Sequence, residues 1–354
     1  MEYNTDLIKT AVSVGYDLKK IKEENFFDNI GENFNIRSID SSYFLSRFDC
    51  HDNAMCINDV SLSDCAIITG FGPTNSPTAG TLSVLFRTID LQRKTGIYTD
   101  IIVSDLGAWN SRNLDWRDIQ RNTMNFIEFI VECGFDTKNG KVRSHQDKEN
   151  LVISGLIAKL LNQDDFLKNR EATDRLYDMM NLRGSLFGIM QDGLYTISDI
   201  INPLFNGKKR VLVIAGLEEY YFLNLARIVI ERLKKVYPAR FISPVSDIGA
   251  LYTKLIQGFY PFPKMSKSIP ESSINVDDSE TVLKRKIINC GEHNEKIVMQ
   301  MIELLSDWSA EKIAEARSMF KQRKKSPRNW RRIKEEYYEF FLQLSRKWCK
   351  IAKE

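Results

Sequence analysis

Histidine is scarce in this chain: there are three in 354 residues, and His51, His145 and His293 lie far apart. The six cysteines (Cys50, Cys56, Cys65, Cys133, Cys290, Cys349) show no C-x-x-C spacing. These two shortages argue against a zinc site and lead us to expect free thiols in a reducing compartment. No run approaches 18 apolar residues, and Met1-Glu2-Tyr3-Asn4-Thr5-Asp6 lacks a basic region followed by an apolar stretch. A soluble, cytoplasmic protein is the expectation. An excess of one charge is missing too, with 50 basic against 47 acidic residues and a net of +3. Internal repeats and low-complexity segments are absent.

What is present suits an ordered, enzyme-sized protein. The chain is 43% hydrophobic and 27% charged, and its length fits two domains or a catalytic domain with an appendage. Residues 1–60 read as helices with a short connecting segment, an N-terminal extension without identifiable chemistry. Cys65-Ala66-Ile67-Ile68-Thr69-Gly70-Phe71 is a short apolar run ending near glycine, as in a buried parallel strand that feeds a loop. The loop Gly72 to Thr81 follows, and Leu82, Leu85, Phe86, Ile89 and Leu91 then recur at roughly helical spacing.

Strand, small-residue loop and helix N-terminus together make a phosphate-binding arrangement, because glycine admits the ligand and unpaired N–H groups face it. A plain β-α turn is the alternative for this loop alone. Asp100 to Asp105 reads as a second strand, implying a parallel β-α-β unit. From about Leu114 to Phe187 the pattern is mainly helical, an insertion between strands. Arg210-Val211-Leu212-Val213-Ile214-Ala215-Gly216 is the clearest strand, and a helix from about Glu219 to Lys235 follows it. Arg240 to Ser243 is a further candidate strand, and the chain ends in helices.

Lys264-Met265-Ser266-Lys267-Ser268 is the most informative stretch. Two lysines at i and i+3 on a loop can stabilise charge developing on a pyrophosphate leaving group. A solvated lysine pair is the other reading; the Pro-Thr loop upstream favours the first.

These motifs resemble those of class I aminoacyl-tRNA synthetases of the tryptophan/tyrosine subclass, in their archaeal and eukaryotic form. Gly70-Phe71-Gly72-Pro73-Thr74 is similar to the G-F-x-P-[ST] that precedes the HIGH motif, and Ser104 to Trp109 to the A-D-L-H-A-Y segment. Cys133-Gly134-Phe135-Asp136 matches a helix-ending C-G-F-D, and Lys264 to Ser268 is an intact KMSKS motif. The resemblance runs from about Ile67 to Ile288. It implies activation of an amino acid on ATP with Mg²⁺, transfer to tRNA, a homodimer, and no metal-ligand set on the protein. Lys264 and Lys267 would hold pyrophosphate. Gly72, Thr74, Gly80, Gly216, Ser266 and Ser268 would bind ATP.

The departures from that pattern are specific. Thr78 and Thr81 stand where the HIGH histidines would be, and a neutral hydrogen bond is worth ~0.5–1.5 kcal/mol against ~1.5–3 for a charge-assisted one. A loss of about 1–2 kcal/mol at each would slow adenylation roughly ten-fold apiece. In the amino-acid pocket the resemblance aligns Ile68, Asp105, Tyr195, Asp199, Asn202 and Glu219. Tyrosine is kept at 195, whereas Asp199, Asn202, Glu219 and Ile68 replace the glutamine, aspartate, glutamine and tyrosine of the relatives. The added carboxylates would favour a cationic group.

From Glu311 to Glu354 there are 14 Lys/Arg against 6 Glu, so basic charge concentrates at the C-terminus. Lys324, Lys325, Arg328, Arg331 and Arg332 around Trp330 suit a phosphate backbone with a base stacked on the aromatic. Alternatively this is a charged helical face with Trp330, Tyr337, Phe341 and Trp348 in a core.

The expected architecture is α/β: an extension (1–60), a Rossmann-type parallel-sheet catalytic domain (61–290) with a helical insertion at about 111–190, and a small helical C-terminal domain (291–354). Three functions remain open: a tRNA synthetase, a specialised ligase that passes the aminoacyl group to a small molecule or peptide, and a catalytically silent tRNA-binding protein.

Overall fold

A computed structural model describes residues 22–23, 27–167, 184–260, 262, 265 and 269–353. Among these, seven strands form one sheet: β1 (Asp28–Asn29), β2 (Phe48–Asp52), β3 (Cys65–Phe71), β4 (Tyr98–Val103), β5 (Gly140–Ser144), β6 (Arg210–Ala215) and β7 (Asp247–Thr253). Their order is β1-β2-β7-β6-β3-β4-β5. Pairing is parallel from β7 through β5 and antiparallel where β2 meets β7 and β1. The fold is therefore α/β with a mostly parallel sheet.

The helices in chain order are α1 (Ser41–Arg47), α2 (Ala79–Thr95), α3 (Asp105–Ser111), α4 (Trp116–Glu132), α5 (Lys148–Ile157), α6 (Gln163–Leu167), α7 (Leu186–Phe205) and α8 (Tyr220–Val236). They continue with α9 (Glu280–Ile287), α10 (Glu292–Leu305), α11 (Ala310–Lys321) and α12 (Pro327–Ile351). None among the described residues is long and apolar enough to cross a membrane.

Apolar residues on both sides of successive strands explain why the sheet is covered on two faces. Ile68, Val211, Val213, Ile248 and Tyr252 face a core completed by Ile197 and Ile201 of α7 and by Leu223, Ala226, Ile230 and Leu233 of α8, which recur at helical spacing. Ile67, Leu212, Ile214 and Leu251 face the other side, with Phe44 of α1 and Leu91 of α2.

The described residues fall into two compact units, one grouping Met1–Thr74 with Val84–Thr253, the other Asn75–Ser83 with Lys254–Glu354. The second unit is built from α9 to α12, with Leu283, Val298, Ile302, Ile333, Tyr337 and Phe341 buried in it. Two units thus stand where the sequence led us to expect three domains. The segment expected to be an extension supplies α1, β1 and β2, and β2 pairs with β7 over Phe48–Asp52.

Two strand expectations need correction. Arg240–Ser243 is a turn, preceded by Ala239 at φ 58°, and the strand is β7, whose Asp247, Gly249 and Thr253 dilute its apolar run. The insertion is not purely helical, since β5 lies inside it. Its Lys141, Arg143 and Ser144 give no apolar signal because it is an edge strand paired only with β4.

Gly249 shows that residues before 60 belong to the sheet layer: a Cβ there would stand 2.4 Å from the backbone oxygen of Asn53. Gly249→Ala must displace main chain, and overpacking of this kind costs about 1–3 kcal/mol. Equilibrium denaturation should register that loss; wild-type stability would contradict the packing described.

Candidate active site

Gly72 and Gly216 follow directly on two paired parallel strands, β3 and β6. Carboxyl ends of adjacent parallel strands are where α/β sheets bind ligands. Gly72 and Thr74 are half-buried. The Glu218 carboxylate folds back over Gly216, 2.4 Å from where a Cβ would stand.

The start of α2 is held by its own threonines. Thr78 Oγ1 accepts from the Thr81 N–H at 3.2 Å, capping the first turn, and the two hydroxyl oxygens are 3.2 Å apart. Thr78 is buried. The residues aligned with the HIGH histidines thus form a cap within the second unit. Gly80 stands beside them, and a Cβ on it would lie 3.9 Å from Met265 Cβ.

Lys264, Ser266, Lys267 and Ser268 lie outside the described residues. The segment that follows them is stapled to the turn before α2. Ala79 N–H donates to Ile274 O at 3.0 Å, Val276 N–H to Pro77 O at 3.0 Å, and Ser76 Oγ to Asp277 Oδ1 at 2.5 Å. Lys286 secures the far side through Ser273 O (2.6 Å) and Asp278 Oδ2 (2.9 Å).

The residues aligned with the amino-acid pocket divide into groups. Asp105, Tyr195 and Asp199 converge on His145, which is fully buried. His145 Nε2 is 2.8 Å from Asp199 Oδ2, and Asp199 Oδ1 accepts from Arg143 Nη1 at 2.6 Å. Asp105 Oδ1 accepts from the His145 N–H (3.0 Å) and Asp105 Oδ2 from Gln146 Nε2 (2.6 Å). The Tyr195 ring lies 5.3 Å from the imidazole.

His145 Nδ1 accepts from the Gly107 N–H at 3.1 Å, so Nε2 is the proton-bearing nitrogen facing Asp199. Burial pushes this imidazole's pKa down, and the carboxylates of Asp199, Asp192 and Asp105 together more than offset it, for a net rise. Gly107 aligns with the histidine of A-D-L-H-A-Y. A Cβ there would meet Asp192 Oδ1 at 2.2 Å and His145 Cε1 at 2.9 Å, so the space of the missing imidazole is taken by Asp192 and by His145.

The other three aligned positions lie apart from this cluster. Ile68 is packed in the apolar core with Ile197 and Ile201. Asn202 is on α7, three residues beyond Asp199, and accepts from Asn206 Nδ2 at 3.0 Å. Glu219 is exposed just before α8.

Sequence reasoning passed over Arg143, His145, Gln146 and Asp192. The signal was available: Arg143-Ser144-His145-Gln146-Asp147 packs polar groups against the end of a strand. It was hidden because that strand was unrecognised.

In the C-terminal unit Trp330, Tyr337, Phe341 and Trp348 are buried. Trp330 is therefore core and offers no face for base stacking. Lys324 pairs with Glu292 (2.8 Å), Arg331 with Glu335 (2.9 Å) and Arg332 with Glu315 (2.6 Å). Lys325 and Arg328 are exposed and form no ion pair among the described residues.

Removing one partner of a buried ion pair strands the other and costs about 3–5 kcal/mol. Asp199→Ala should lower unfolding free energy by that order, against a much smaller change for Asp192→Asn. Equal, small effects in chemical denaturation would refute the central place of Asp199.

A family model described as tRNA synthetases class I (W and Y) matches residues 204–344. The tryptophan–tRNA ligase of Methanocaldococcus jannaschii is 24% identical over 234 residues, 63% of this chain and 58% of that protein. Tryptophan–tRNA ligase 1 of Halobacterium salinarum is 24% identical over 172 residues, 48% of this chain and 31% of that protein. The chain thus spans less than two thirds of the length of these curated relatives. Among solved structures, tryptophanyl-tRNA synthetase from Encephalitozoon cuniculi bound to tryptophan superposes with a TM-score of 0.70 at 15% identity, covering 95% of this chain and 96% of that one. The enzyme from Aeropyrum pernix superposes at 0.68 and 17% identity, covering 86% and 84%. Motifs, family model and fold agree: the chain is a divergent relative of the class I tRNA synthetases of the tryptophan/tyrosine type.

Proposed function

We propose that the chain activates an amino acid on ATP and passes the acyl group to the 3′ end of a tRNA. In the first step a carboxylate oxygen attacks the α-phosphorus and pyrophosphate leaves. In the second a terminal ribose hydroxyl attacks the acyl carbonyl and AMP leaves. The observation that carries this reading is the stapling of Ile274–Asp277 to Ser76–Ala79, which ties the stretch after the KMSKS motif to the start of α2.

In this reading Lys264 and Lys267 stabilise charge on the departing pyrophosphate, with Mg²⁺ accompanying ATP. Gly72, Thr74, Gly80 and Gly216 let the nucleotide approach main chain, with Ser266 and Ser268 as further donors. Thr78 and Thr81 act as neutral groups. Asp105, Tyr195 and Asp199 receive the amino acid together with His145 and Asp192. The polar cluster favours a substrate with hydrogen-bonding or cationic groups over a wholly apolar one.

Lys324, Lys325, Arg328, Arg331 and Arg332 would meet tRNA phosphates. Their exposed ion pairs are worth ~0–1 kcal/mol each and exchange readily for a phosphate. Trp109, Met124, Val131, Val152 and Phe187 are exposed on α3, α4, α5 and α7. Apolar surface of this kind supports self-association, as in a homodimer. A second reading, transfer to a small molecule or peptide, is favoured by the burial of Trp330 and the glutamates that pair with the basic residues.

Amino-acid-dependent ATP–pyrophosphate exchange tests the first step. Lys267→Ala should lower exchange about 10²-fold or more while leaving the melting curve in place. Unchanged exchange in that variant would refute the role given to the lysine loop.

A further inference from the structure

Burial of Trp330 leaves the basic residues near the start of α12 without an aromatic partner there, but another aromatic surface stands in the same compact unit. Tyr260 and His293 stack with ring centroids 5.0 Å apart and planes 24° from parallel. Tyr260 is 65% exposed and His293 is exposed as well, so the outward faces of the pair are open to solvent.

Two hydrogen bonds set the pair in place. Tyr260 N–H donates to Asn294 Oδ1 at 2.8 Å, and Gln257 N–H donates to Gln300 Oε1 at 3.1 Å. Both run from the segment before the lysine motif to α10, so Tyr260 is fixed against the first turn of the helix that carries His293. A stacking surface held in this way needs little ordering when a planar group settles on it.

The charge around it is basic. Lys324 pairs with Glu292 at 2.8 Å, both side chains largely exposed, and Arg323 Nε donates to Glu295 at 2.9 Å. The bond from Lys324, with Arg323 and His293 close by, holds the Glu292 carboxyl below the usual carboxylate range, which places His293 among these cations. Lys296, one turn along α10 from His293, and Lys325, next to Lys324, are exposed too. Glu292 and Glu295 thus stand against four basic side chains, Lys296, Arg323, Lys324 and Lys325.

An aromatic face beside exposed cations suits a nucleotide: the base stacks and its phosphate pairs. A base inside a duplex has both faces covered by its neighbours, so the partner is an unpaired one. We propose that Tyr260 and His293 form a platform on which an unpaired base of bound RNA stacks, with Lys324 exchanging Glu292 for the adjoining phosphate. An exposed ion pair holds Lys324 only weakly against that exchange. The inference rests on the reading that the acceptor is a tRNA and adds where an unpaired nucleotide is held.

Fluorescence anisotropy of the full chain with a labelled single-stranded adenylate decamer, and with a blunt RNA duplex of equal length as control, tests the proposal over a range of salt. The single strand should bind saturably. Tyr260→Leu should weaken it about tenfold, while Tyr260→Phe, which keeps the ring, stays within about twofold of wild type. Duplex binding should be the same in wild type and Tyr260→Leu. Lys324→Gln should lower the salt slope for the single strand by about one, and Tyr260→Leu should leave that slope in place. The assay contains neither ATP nor amino acid, so its outcome is independent of whether adenylation occurs. ATP–pyrophosphate exchange without RNA should be equal in wild type and Tyr260→Leu; a loss of exchange in parallel with RNA binding would show that the substitution acts through the lysine loop and would overturn the platform. Absence of saturable single-strand binding, or equal binding by wild type and a folded Tyr260→Leu variant, would overturn it as well.

Discussion

The buried contact between Arg143, Asp199 and His145 is the constraint on which the larger unit is organised. It joins an edge strand, the longest helix of that unit and the turn after β5, and through Asp105 it reaches the start of α3. Taking these charges out of water is costly, and only close mutual pairing offsets the penalty. That requirement explains why Gly107 lacks a side chain: any Cβ there would collide with the groups that replaced the histidine of the relatives. The same chain of contacts gives the proposed substrate pocket its polar character, because the buried cluster and the half-exposed Asp192 and Tyr195 share the face of α7 next to α3.

A second constraint governs the nucleotide side. Thr78 and Thr81 bond to each other and to the helix backbone, so their hydroxyls are structural before they are chemical. The Ala79 and Thr81 N–H groups are taken by Ile274 O and Thr78 Oγ1, so a ligand phosphate would have to draw on the Gly80 N–H and on the lysine loop. The hydrogen bonds from Ala79 and Val276 keep the segment after that loop attached to the turn, independently of any ligand.

Three strands were legible because β3 and β6 are nearly continuous apolar runs, and β4 ends in one at Ile101-Ile102-Val103, in the middle of a sheet covered on both faces. The edge strand β5 was not, since Lys141 is exposed there and Arg143 is buried only as the partner of Asp199. The strand β7 escaped notice because Gly249 interrupts the run and Asp247 and Thr253 bound it, although Gly249 is there to admit the Asn53 backbone. Gly72 and Gly216 could be placed at strand ends because the apolar runs stop there, whereas the roles given to them came from the resemblance. The buried polar cluster was only half legible: Asp105, Tyr195 and Asp199 come from the resemblance, but His145 and Arg143 join them through β5. In the C-terminal unit, the helical spacing of Trp330, Tyr337, Phe341 and Trp348 marked a core, and their burial removes the stacking platform that the basic residues around Trp330 suggested.

Everything proposed for the site depends on the chain making a mixed anhydride between an amino acid and AMP with an altered substrate pocket. Mass spectrometry of the products formed from ATP, Mg²⁺ and a pool of all common amino acids examines this directly and identifies the substrate at once. One aminoacyl-adenylate, or its amino acid on added tRNA, should form with pyrophosphate released in step. ATP left intact, or cleaved to ADP and phosphate regardless of amino acid, would contradict the proposed chemistry.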